Sequence, residues 1–340
     1  MAAIQPMELM GNYPALVTPL HADGRVHTLK MYRIAERLLQ ADVTGLLVCG
    51  TTGQSATLDS SEQIALTEMV SDIVKRYDKQ LIAAAGSNNT EEAFKLQRGI
   101  EDRLGPTTFL HVTGYYNNPP QEGLIKHFRK LLDSRVYEES NIIMYNVPGR
   151  TGCNMEAWTA AYLSTLPGLI GTKEASGNLD QVQSIIDGTD PDEFRVMSGE
   201  DHLVSKLGRM GGYGVISASA NIAPKPYNDM VEAGLRGDYD EAERIQEWIM
   251  PIRDVIFNEK NPIPLAEVFS TCLRSPMTTY DEGLDILEDV MNSLRIRDNP
   301  EHMEKVQNRI EELGSDKKAV LDVIGRYTPQ ELGMDYKEFI

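Results

Sequence analysis

The stretch Leu169-Ile-Gly-Thr-Lys-Glu-Ala-Ser-Gly-Asn178 reads as a buried β-strand that ends in a polar turn, and Lys173 stands within it. An ammonium group in a core strand is costly unless it is paired or its pKa falls. A lysine that is neutral at working pH can attack a carbonyl carbon as an amine, which is the first step of Schiff-base chemistry. From this stretch alone, Lys173 could equally be a structural lysine that forms a salt bridge. The residues on the other strands decide between a catalytic and a structural role.

Seven other stretches have the same strand-like character, and amphipathic helical windows alternate with them. The predicted strands are Ala15–Pro19, Gly45–Gly50, Leu81–Gly86, Thr107–Gly114, Asn141–Val147, Leu169–Ser176, Phe194–Asp201 and Gly214–Ala220. The helical windows between them include Lys30–Gln40, Ser61–Lys75, Thr90–Arg103, Gln121–Ser134 and Met155–Leu163. The pattern is a regular alternation of strand and helix.

This alternation predicts an α/β fold, a (β/α)8 TIM barrel with a C-terminal helical appendage. Eight βα units in about 235 residues fit such a barrel, which typically takes ~250 residues. A doubly wound sheet is the alternative, and it would usually carry a Gly-rich fingerprint after the first strand. Here the first predicted strand runs into Thr18-Pro-Leu-His21 without that fingerprint, which favours the barrel.

The strand signals stop after residue 235, and only helical windows follow. They are Tyr239–Phe257, Ile263–Leu273, Glu282–Leu294, Glu301–Leu313 and Lys317–Arg326. Asn261-Pro-Ile-Pro264 interrupts them and is interpreted as a structural corner. We therefore expect a catalytic barrel over residues 1–235, a C-terminal helical region over 236–298, and a helical extension over 299–340 whose role the sequence leaves open.

The composition argues against several kinds of partner. The formal net charge of −18 repels phosphate backbones and anionic lipids, so we expect neither a nucleic-acid nor a membrane partner. No apolar run reaches the ~20 residues that span a bilayer. The start Met1-Ala-Ala-Ile-Gln-Pro6 lacks a basic region and an apolar region, so a cytoplasmic protein is expected. Small-molecule substrates remain as the expected partners.

The cysteines and histidines do not predict a metal site. Cys49, Cys153 and Cys272 are widely spaced and are interpreted as reduced thiols, and Cys49 and Cys153 are interpreted as packing residues and not as nucleophiles. The six histidines are scattered without the spacing of a zinc motif. No metal ligand is therefore predicted.

Polar residues gather at the ends of the predicted strands, where the active site of a (β/α)8 barrel lies. These segments are Gly50-Thr-Thr-Gly53, Gly114-Tyr-Tyr-Asn117, Tyr145-Asn-Val-Pro-Gly-Arg-Thr151, Ser198-Gly-Glu-Asp201 and Gly214-Val-Ile-Ser-Ala218. Together with Lys173 they supply hydroxyls, phenols and one arginine. The segment Ser198–Asp201, which includes Gly199, is interpreted as pocket lining. The set lacks paired catalytic carboxylates.

This set of groups suits a reaction of a keto acid. Tyr145 lies on the strand before Lys173, so its phenol can relay protons while an imine forms. The loop around Thr51 and Thr52 can hold a carboxylate with its N–H groups. Arg150 offers a planar fork for a second carboxylate, although it could also only cap a loop.

The strand-end motifs, with Gly171-Thr-Lys-Glu-Ala-Ser-Gly-Asn178 and Asn261-Pro-Ile-Pro264, resemble the dihydrodipicolinate synthase and N-acetylneuraminate lyase superfamily of class I pyruvate aldolases. The resemblance runs from about Gly11 to Asn292. Within it, Arg150 after Tyr-Asn-Val-Pro is most similar to the 4-hydroxy-tetrahydrodipicolinate synthases, where this arginine meets the carboxylate of aspartate 4-semialdehyde. The resemblance implies a lyase of lysine and diaminopimelate biosynthesis that condenses this semialdehyde with pyruvate.

The resemblance also implies roles for individual residues. Lys173 would form the pyruvate imine without a further cofactor, and Tyr145, Thr51 and Tyr116 would relay protons. Tyr116 would reach into the site of a neighbouring subunit, which implies a homotetramer, a dimer of dimers. Thr52 would hold the pyruvate carboxylate, and the Ile216 carbonyl would line the pocket.

Two departures from the family pattern accompany this resemblance. Gln54 replaces the usual glutamate after Gly-Thr-Thr-Gly, and no loss of activity is expected because that position is outside the relay. Asn88, Glu92 and Tyr115 match positions that bind lysine as a feedback inhibitor in some members, whereas other positions of that site differ: Ser60 and Gln63 replace histidines.

Two other functions stay open on the sequence. One is a related aldolase or lyase that acts on a sugar acid, and the other is a catalytically silent paralogue that serves as a binding subunit. Tyr115 could equally be a core or interface aromatic residue.

Overall fold

The computed structural model describes residues 2–269. The predicted windows beyond residue 269, the end of the predicted helix Ile263–Leu273, Cys272 and the extension over 299–340 lie outside the described residues. The strands are β1 (Gly11–Pro14), β2 (Gly45–Val48), β3 (Gln80–Ala84), β4 (Thr108–Val112), β5 (Asn141–Asn146), β6 (Leu169–Glu174), β7 (Arg195–Ser198) and β8 (Gly214–Ser217).

The strands form a parallel barrel, which confirms the predicted (β/α)8 fold. The sheet order is β1-β8-β7-β6-β5-β4-β3-β2. A parallel bridge between Ala15 and Leu47 joins the end of β1 to β2 and closes the ring. Each strand pairs with its sequence neighbours, so residues at the same height of adjacent strands lie opposite one another, as Tyr145 and Lys173 do.

Helices connect successive strands and cover the outside of the barrel. They are α1 (Thr28–Gln40), α2 (Ser60–Arg76), α3 (Thr90–Leu104), α4 (Gln121–Asp133), α5 (Pro148–Thr151), α6 (Ala157–Ser164), α7 (Leu179–Asp187), α8 (Val204–Met210) and α9 (Pro224–Leu235). Two further helices, α10 (Tyr239–Ile256) and α11 (Ile263–Val268), follow the last βα unit. At α2 the side chain of Asp59 accepts the Glu62 amide and Glu62 reciprocates, a capping box that fixes where the helix begins.

The first strand was predicted in the wrong place. It occupies Gly11–Pro14, before the predicted Ala15–Pro19. Glycine, asparagine and proline are poor strand formers, so this segment carries little strand signal. It pairs with β8 at a close approach, where a β-carbon on Gly214 would collide with the Gly11 carbonyl oxygen. The other seven strands begin within one residue of their predicted starts and end one to three residues early.

The strand alternation divides the core into two parts. Side chains that point inward, such as Ile143, Tyr145 and Ile216, fill the barrel, and a larger cluster lies between the strands and the helices. Ile4 and Leu9 from the N-terminal segment join the interior cluster, and the Ile4 amide and carbonyl are hydrogen-bonded by β4 and β5 side chains. One end of the barrel is thereby filled, and polar chemistry is left to the opposite end.

The described residues contain no helix that is both long and apolar enough to cross a bilayer.

Candidate active site

Tyr145 and Lys173, called here the strand pair, lie directly opposite each other on β5 and β6. Both side chains are buried, and the Lys173 Nζ lies 4.4 Å from the centroid of the Tyr145 ring. The sequence-based expectation that these residues are spatial neighbours is met in the structure. The phenol therefore lies next to the only atom of Lys173 that can attack a carbonyl.

Burial controls the charge of Lys173. Loss of solvation lowers its pKa to about 8, while the carboxylate of Asp201 raises the pKa, the guanidinium of Arg150 lowers it, and the carboxylate of Glu200 raises it. An amine with a pKa near 8 is partly unprotonated at neutral pH, whereas an ordinary lysine is almost fully protonated. The barrel thus provides the free amine that imine formation needs.

The phenol of Tyr145 is also affected by its surroundings. Burial raises its pKa to about 12, and a hydrogen bond with the Thr51 side chain acts in the opposite direction. Tyr145 therefore keeps its proton at neutral pH and can donate it to a developing alkoxide. Thr51, on the loop after β2, is within reach to pass a proton onward. The structure brings Thr51, Tyr145 and Lys173 together.

A cavity of about 450 Å3 opens at the mouth of the barrel over the strand pair. Thr51, Gln54 and Arg150 line it together with Tyr145 and Lys173. Its volume lies in the range of small-molecule sites, and its lining mixes apolar walls with a few polar groups. The cavity is a suitable binding site for a small polar metabolite.

Thr52, Asn261 and Arg150, called here the mouth bracket, are joined by two hydrogen bonds. The Asn261 Nδ2 donates to the Thr52 Oγ1 at 2.9 Å, and the Arg150 Nη2 donates to the Asn261 carbonyl oxygen at 2.7 Å. The interpretation of Asn261 as a structural corner therefore missed its contacts with two predicted site residues. The sequence held one indication of a role in the site, because Asn261-Pro-Ile-Pro264 is one of the motifs on which the family resemblance rests.

Two further predicted residues lie close to the strand pair. A β-carbon on Gly199 would lie 2.8 Å from the Ala175 Cβ and 3.1 Å from the Lys173 Cε, so a side chain is excluded there. Ile216, on β8, is buried in the interior cluster that also contains Tyr145. Gly199 and Ile216 are thus positioned around the lysine, and their substrate contacts stay predictions.

Asp201 acts on the site although the sequence interpretation gave it no charge role. Its side chain is buried, and one carboxylate oxygen accepts the Ser219 amide at 2.8 Å. The other oxygen has no hydrogen-bond partner among the described residues. The signal for this role was an acidic pair at a strand end, Glu200 and Asp201, beside a buried lysine.

Tyr116 does not join the strand pair within one chain. Its side chain is 90% exposed, its backbone has a φ of 67°, and its amide donates to the Thr151 carbonyl at 3.2 Å. A left-handed conformation is unusual for a tyrosine and costs free energy, so the loop holds the ring outward at some expense. Its predicted place in a neighbouring subunit's site stays a prediction.

The three residues matched to a lysine-binding position lie near one another at the cavity rim. Glu92 and Tyr115 line the same cavity as Lys173, and the side chain of Asn88 donates to the Asn117 Oδ1 at 3.2 Å. Glu92 forms an exposed ion pair with Lys95 at 2.9 Å.

Among residues 2–269, no three His, Cys, Asp or Glu side chains are grouped so as to hold a metal ion. Cys49 and Cys153 are buried free thiols, and burial raises the pKa of each.

Comparison with known proteins identifies relatives over most of the chain. The family model described as the dihydrodipicolinate synthetase family matches residues 8–290. A 4-hydroxy-tetrahydrodipicolinate synthase of Haloarcula marismortui is 40% identical over 299 residues, which cover 86% of this chain and 96% of that protein. The protein of the same name from Methanopyrus kandleri is 42% identical over 260 residues, 76% of this chain and 85% of the relative.

Solved structures of similar proteins have the same fold. A crystal structure of a dihydrodipicolinate synthase is 37% identical with a TM-score of 0.77, covering 85% of this chain and all of that one (100%). The Cyanidioschyzon merolae enzyme, solved with lysine bound, is 34% identical with a TM-score of 0.77, covering 82% of this chain and 97% of that one.

Proposed function

The chain belongs to the dihydrodipicolinate synthetase family, and we propose from that premise and from the site that it is a 4-hydroxy-tetrahydrodipicolinate synthase. It is a lyase of lysine and diaminopimelate biosynthesis that condenses pyruvate with L-aspartate 4-semialdehyde and releases water. The observation that carries the proposal is the strand pair, a buried lysine with a pKa near 8 whose Nζ lies 4.4 Å from the ring of a tyrosine.

The first half of the reaction takes place on Lys173. Its unprotonated amine attacks the ketone carbon of pyruvate, and Tyr145 donates a proton to the carbinolamine oxygen as water leaves. Removal of a methyl proton from the resulting imine gives an enamine. Because the imine is itself the electron sink, no further cofactor is required.

The second half joins the two substrates. The enamine carbon attacks the aldehyde carbon of the semialdehyde, and Thr51 and Tyr145 return a proton to the new alkoxide. The amino group of the semialdehyde then displaces the Lys173 nitrogen, which closes the ring and frees the enzyme. Tyr116 of a neighbouring subunit would complete this relay.

The two carboxylates occupy different parts of the cavity mouth. The pyruvate carboxylate binds at the Thr51–Thr52 loop, where the Thr52 hydroxyl oxygen accepts from Asn261 and keeps its own hydrogen to donate. The semialdehyde carboxylate binds the guanidinium of Arg150, whose fork retains further N–H donors. Gly199 and the Ile216 carbonyl would line the pyruvate side.

We propose a cytoplasmic homotetramer for the assembled enzyme. The support is Tyr116, a large and 90% exposed aromatic side chain beside the cavity-lining Tyr115. Light scattering of the purified chain tests the assembly, and a monomer that is fully active contradicts a shared relay.

Lysine is proposed as a feedback ligand of Asn88, Glu92 and Tyr115. The support is that Glu92 and Tyr115 line the cavity that contains Lys173, so a cation bound there would alter the same space. Unchanged activity at millimolar lysine would remove this proposal.

Trapping with borohydride tests the function. The protein is incubated with pyruvate and sodium borohydride, and we expect a mass increase equal to a reduced pyruvate imine, mapped to the Lys173 peptide. Turnover is then measured with pyruvate and the semialdehyde, and with pyruvate and a sugar-acid precursor aldehyde. No adduct excludes the aldolase chemistry, whereas an adduct with turnover of the sugar aldehyde alone assigns a different lyase.

A further inference from the structure

Asn261 connects two parts of the mouth that come from distant segments of the chain. It lies between α10 and α11, its side chain is 6% exposed, and it is one of the residues that line the cavity. Its Nδ2 donates to the Thr52 Oγ1 at 2.9 Å, and its carbonyl accepts from the Arg150 Nη2 at 2.7 Å. Thr52 follows β2 and Arg150 follows β5, so Asn261 links the segments that follow these two strands.

We infer that Asn261 is a positioning residue that fixes the separation of the two carboxylate-binding groups and thereby selects the length of the acceptor aldehyde. The inference rests on the proposed function, because it assigns one substrate carboxylate to Thr52 and the other to Arg150. It adds a residue from the C-terminal helical region to a site whose other groups lie on β5 and β6 and on the segments that follow β2 and β5.

The Arg150 contact explains how the arginine side chain is oriented. Arg150 is exposed, and a long exposed side chain loses conformational entropy when a ligand holds it. The bond from one terminal nitrogen to the Asn261 carbonyl fixes the guanidinium before substrate arrives, and its other N–H groups stay available. Arg150 is therefore pre-ordered for a carboxylate at one distance from the strand pair.

The Thr52 contact holds the other side of the bracket. Because the Thr52 oxygen accepts from Asn261, its hydroxyl hydrogen is directed away from Asn261 and can serve a carboxylate. The Asn261 Oδ1 is buried and has no hydrogen-bond partner among residues 2–269. A buried amide with an unpaired oxygen reduces stability, so packing alone does not account for this side chain.

The consequence is a selection by geometry. The bracket holds Thr52 and Arg150 at fixed places, so an acceptor whose carboxylate and aldehyde are separated differently cannot meet both Arg150 and the enamine. Misplacement of reacting groups by about 1 Å can reduce the rate on the order of a hundredfold. Loosening the bracket should weaken this selection.

Replacement of the side chain tests the inference. In Asn261→Ala the carbonyl remains but is no longer tied to Thr52, and we expect KM for the semialdehyde to rise about tenfold and KM for pyruvate about threefold. Borohydride trapping at saturating pyruvate should persist, because the strand pair is unchanged. The ratio of turnover of a one-carbon-longer acceptor to that of the semialdehyde should increase.

Asn258→Ala is the matched control, since Asn258 is an exposed asparagine in the same connection and does not line the cavity. We expect its kinetic constants to equal those of the unaltered enzyme. If Asn261→Ala does not fold, Asn261→Asp keeps the size, removes the Nδ2 donor and adds a charge beside Arg150. Its KM for the semialdehyde should rise by about tenfold or more, and an unchanged value overturns the inference.

A double-mutant cycle separates positioning from general destabilisation. If Asn261 acts through Arg150, then Asn261→Ala should add no further increase in semialdehyde KM to an Arg150→Ala enzyme. Additive effects overturn the inference. Absence of condensation by the unaltered enzyme refutes the proposed function instead, whereas an active enzyme whose Asn261→Ala variant keeps both KM values refutes only this inference.

Discussion

The strand pair and the mouth bracket are two ways of building a site on one barrel. Tyr145 and Lys173 face each other because β5 and β6 are adjacent and in register, and their neighbourhood follows from the sheet itself. Thr52, Asn261 and Arg150 meet across the mouth through side chains and loop backbone, with Asn261 separated from its partners by 209 and 111 residues. The reacting groups are therefore held by the hydrogen-bonded sheet, whereas the recognition groups depend on contacts between segments that are distant in the chain.

Removal of the Lys173 amine should reduce activity more than any other change. Lys173→Met should reduce turnover on the order of a thousandfold or more and abolish the borohydride adduct, because no other lysine among the described residues lines the cavity. Intact-mass spectrometry after trapping is the measurement. An adduct of undiminished yield would show that the strand pair is not the reacting site.

The same variant should be more stable than the unaltered enzyme. Burial lowers the pKa of Lys173 from 10.5 to about 8, so the unfolded state binds the proton more tightly than the folded state does. That difference destabilises the folded protein by about 3 kcal/mol below pH 8, and methionine removes it. The stability gain, measured by urea unfolding at several pH values, should shrink as pH rises from about 8 to above about 10.5. A gain that is independent of pH would contradict this cause.

Loss of the phenol should have the next largest effect. Tyr145→Phe keeps the ring over the Lys173 Nζ and removes the hydroxyl group that relays the proton, so we expect kcat to fall about a hundredfold to a thousandfold with little change in either KM. Trapping should still occur, at a lower rate. Tyr137→Phe, at an exposed tyrosine outside the cavity, is the control. A rise in KM at constant kcat would show that Tyr145 contributes to substrate binding and not to proton transfer. The strand pair would then not differ from the mouth bracket in its role.

A change in the bracket should affect recognition and leave the chemistry intact. Arg150→Lys keeps the charge and removes the planar fork, so we expect KM for the semialdehyde to rise about tenfold to a hundredfold. KM for pyruvate and the yield of the pyruvate adduct should stay close to those of the unaltered enzyme. If the adduct is lost as well, Arg150 supports the strand pair, and the two regions are not independent.

The difference between the regions also explains what the sequence could predict. Seven strands and the neighbourhood of Tyr145 and Lys173 followed from apolar runs and from the order of a barrel, since adjacent strands must be adjacent in space. β1 was misplaced because Gly11–Pro14 is held by pairing with β8 and carries a weak strand signal. Thr52 and Arg150 were predicted as site residues from their side-chain chemistry and their place after predicted strands. Their connection through Asn261 joins distant segments of the chain, and no local sequence pattern predicts such a contact.

A change in the charge around Lys173 should alter activity least. Asp201→Asn removes a carboxylate that raises the lysine pKa, and the amide can still accept the Ser219 N–H. In the unaltered enzyme the fraction of free amine increases as pH rises toward about 8, so kcat/KM for pyruvate should increase with pH and level off above that value. In Asp201→Asn the midpoint of this pH dependence should move to lower pH. Imine formation should then be several-fold faster than in the unaltered enzyme near pH 6 and equally fast near pH 9. The pH profile of trapping is the measurement, and Asp229→Asn, at a half-buried aspartate on α9 that pairs with Lys225, is the control. A midpoint that moves upward would mean that Asp201 acts by orienting Lys173, so that even the strand pair depends on contacts outside its own two strands.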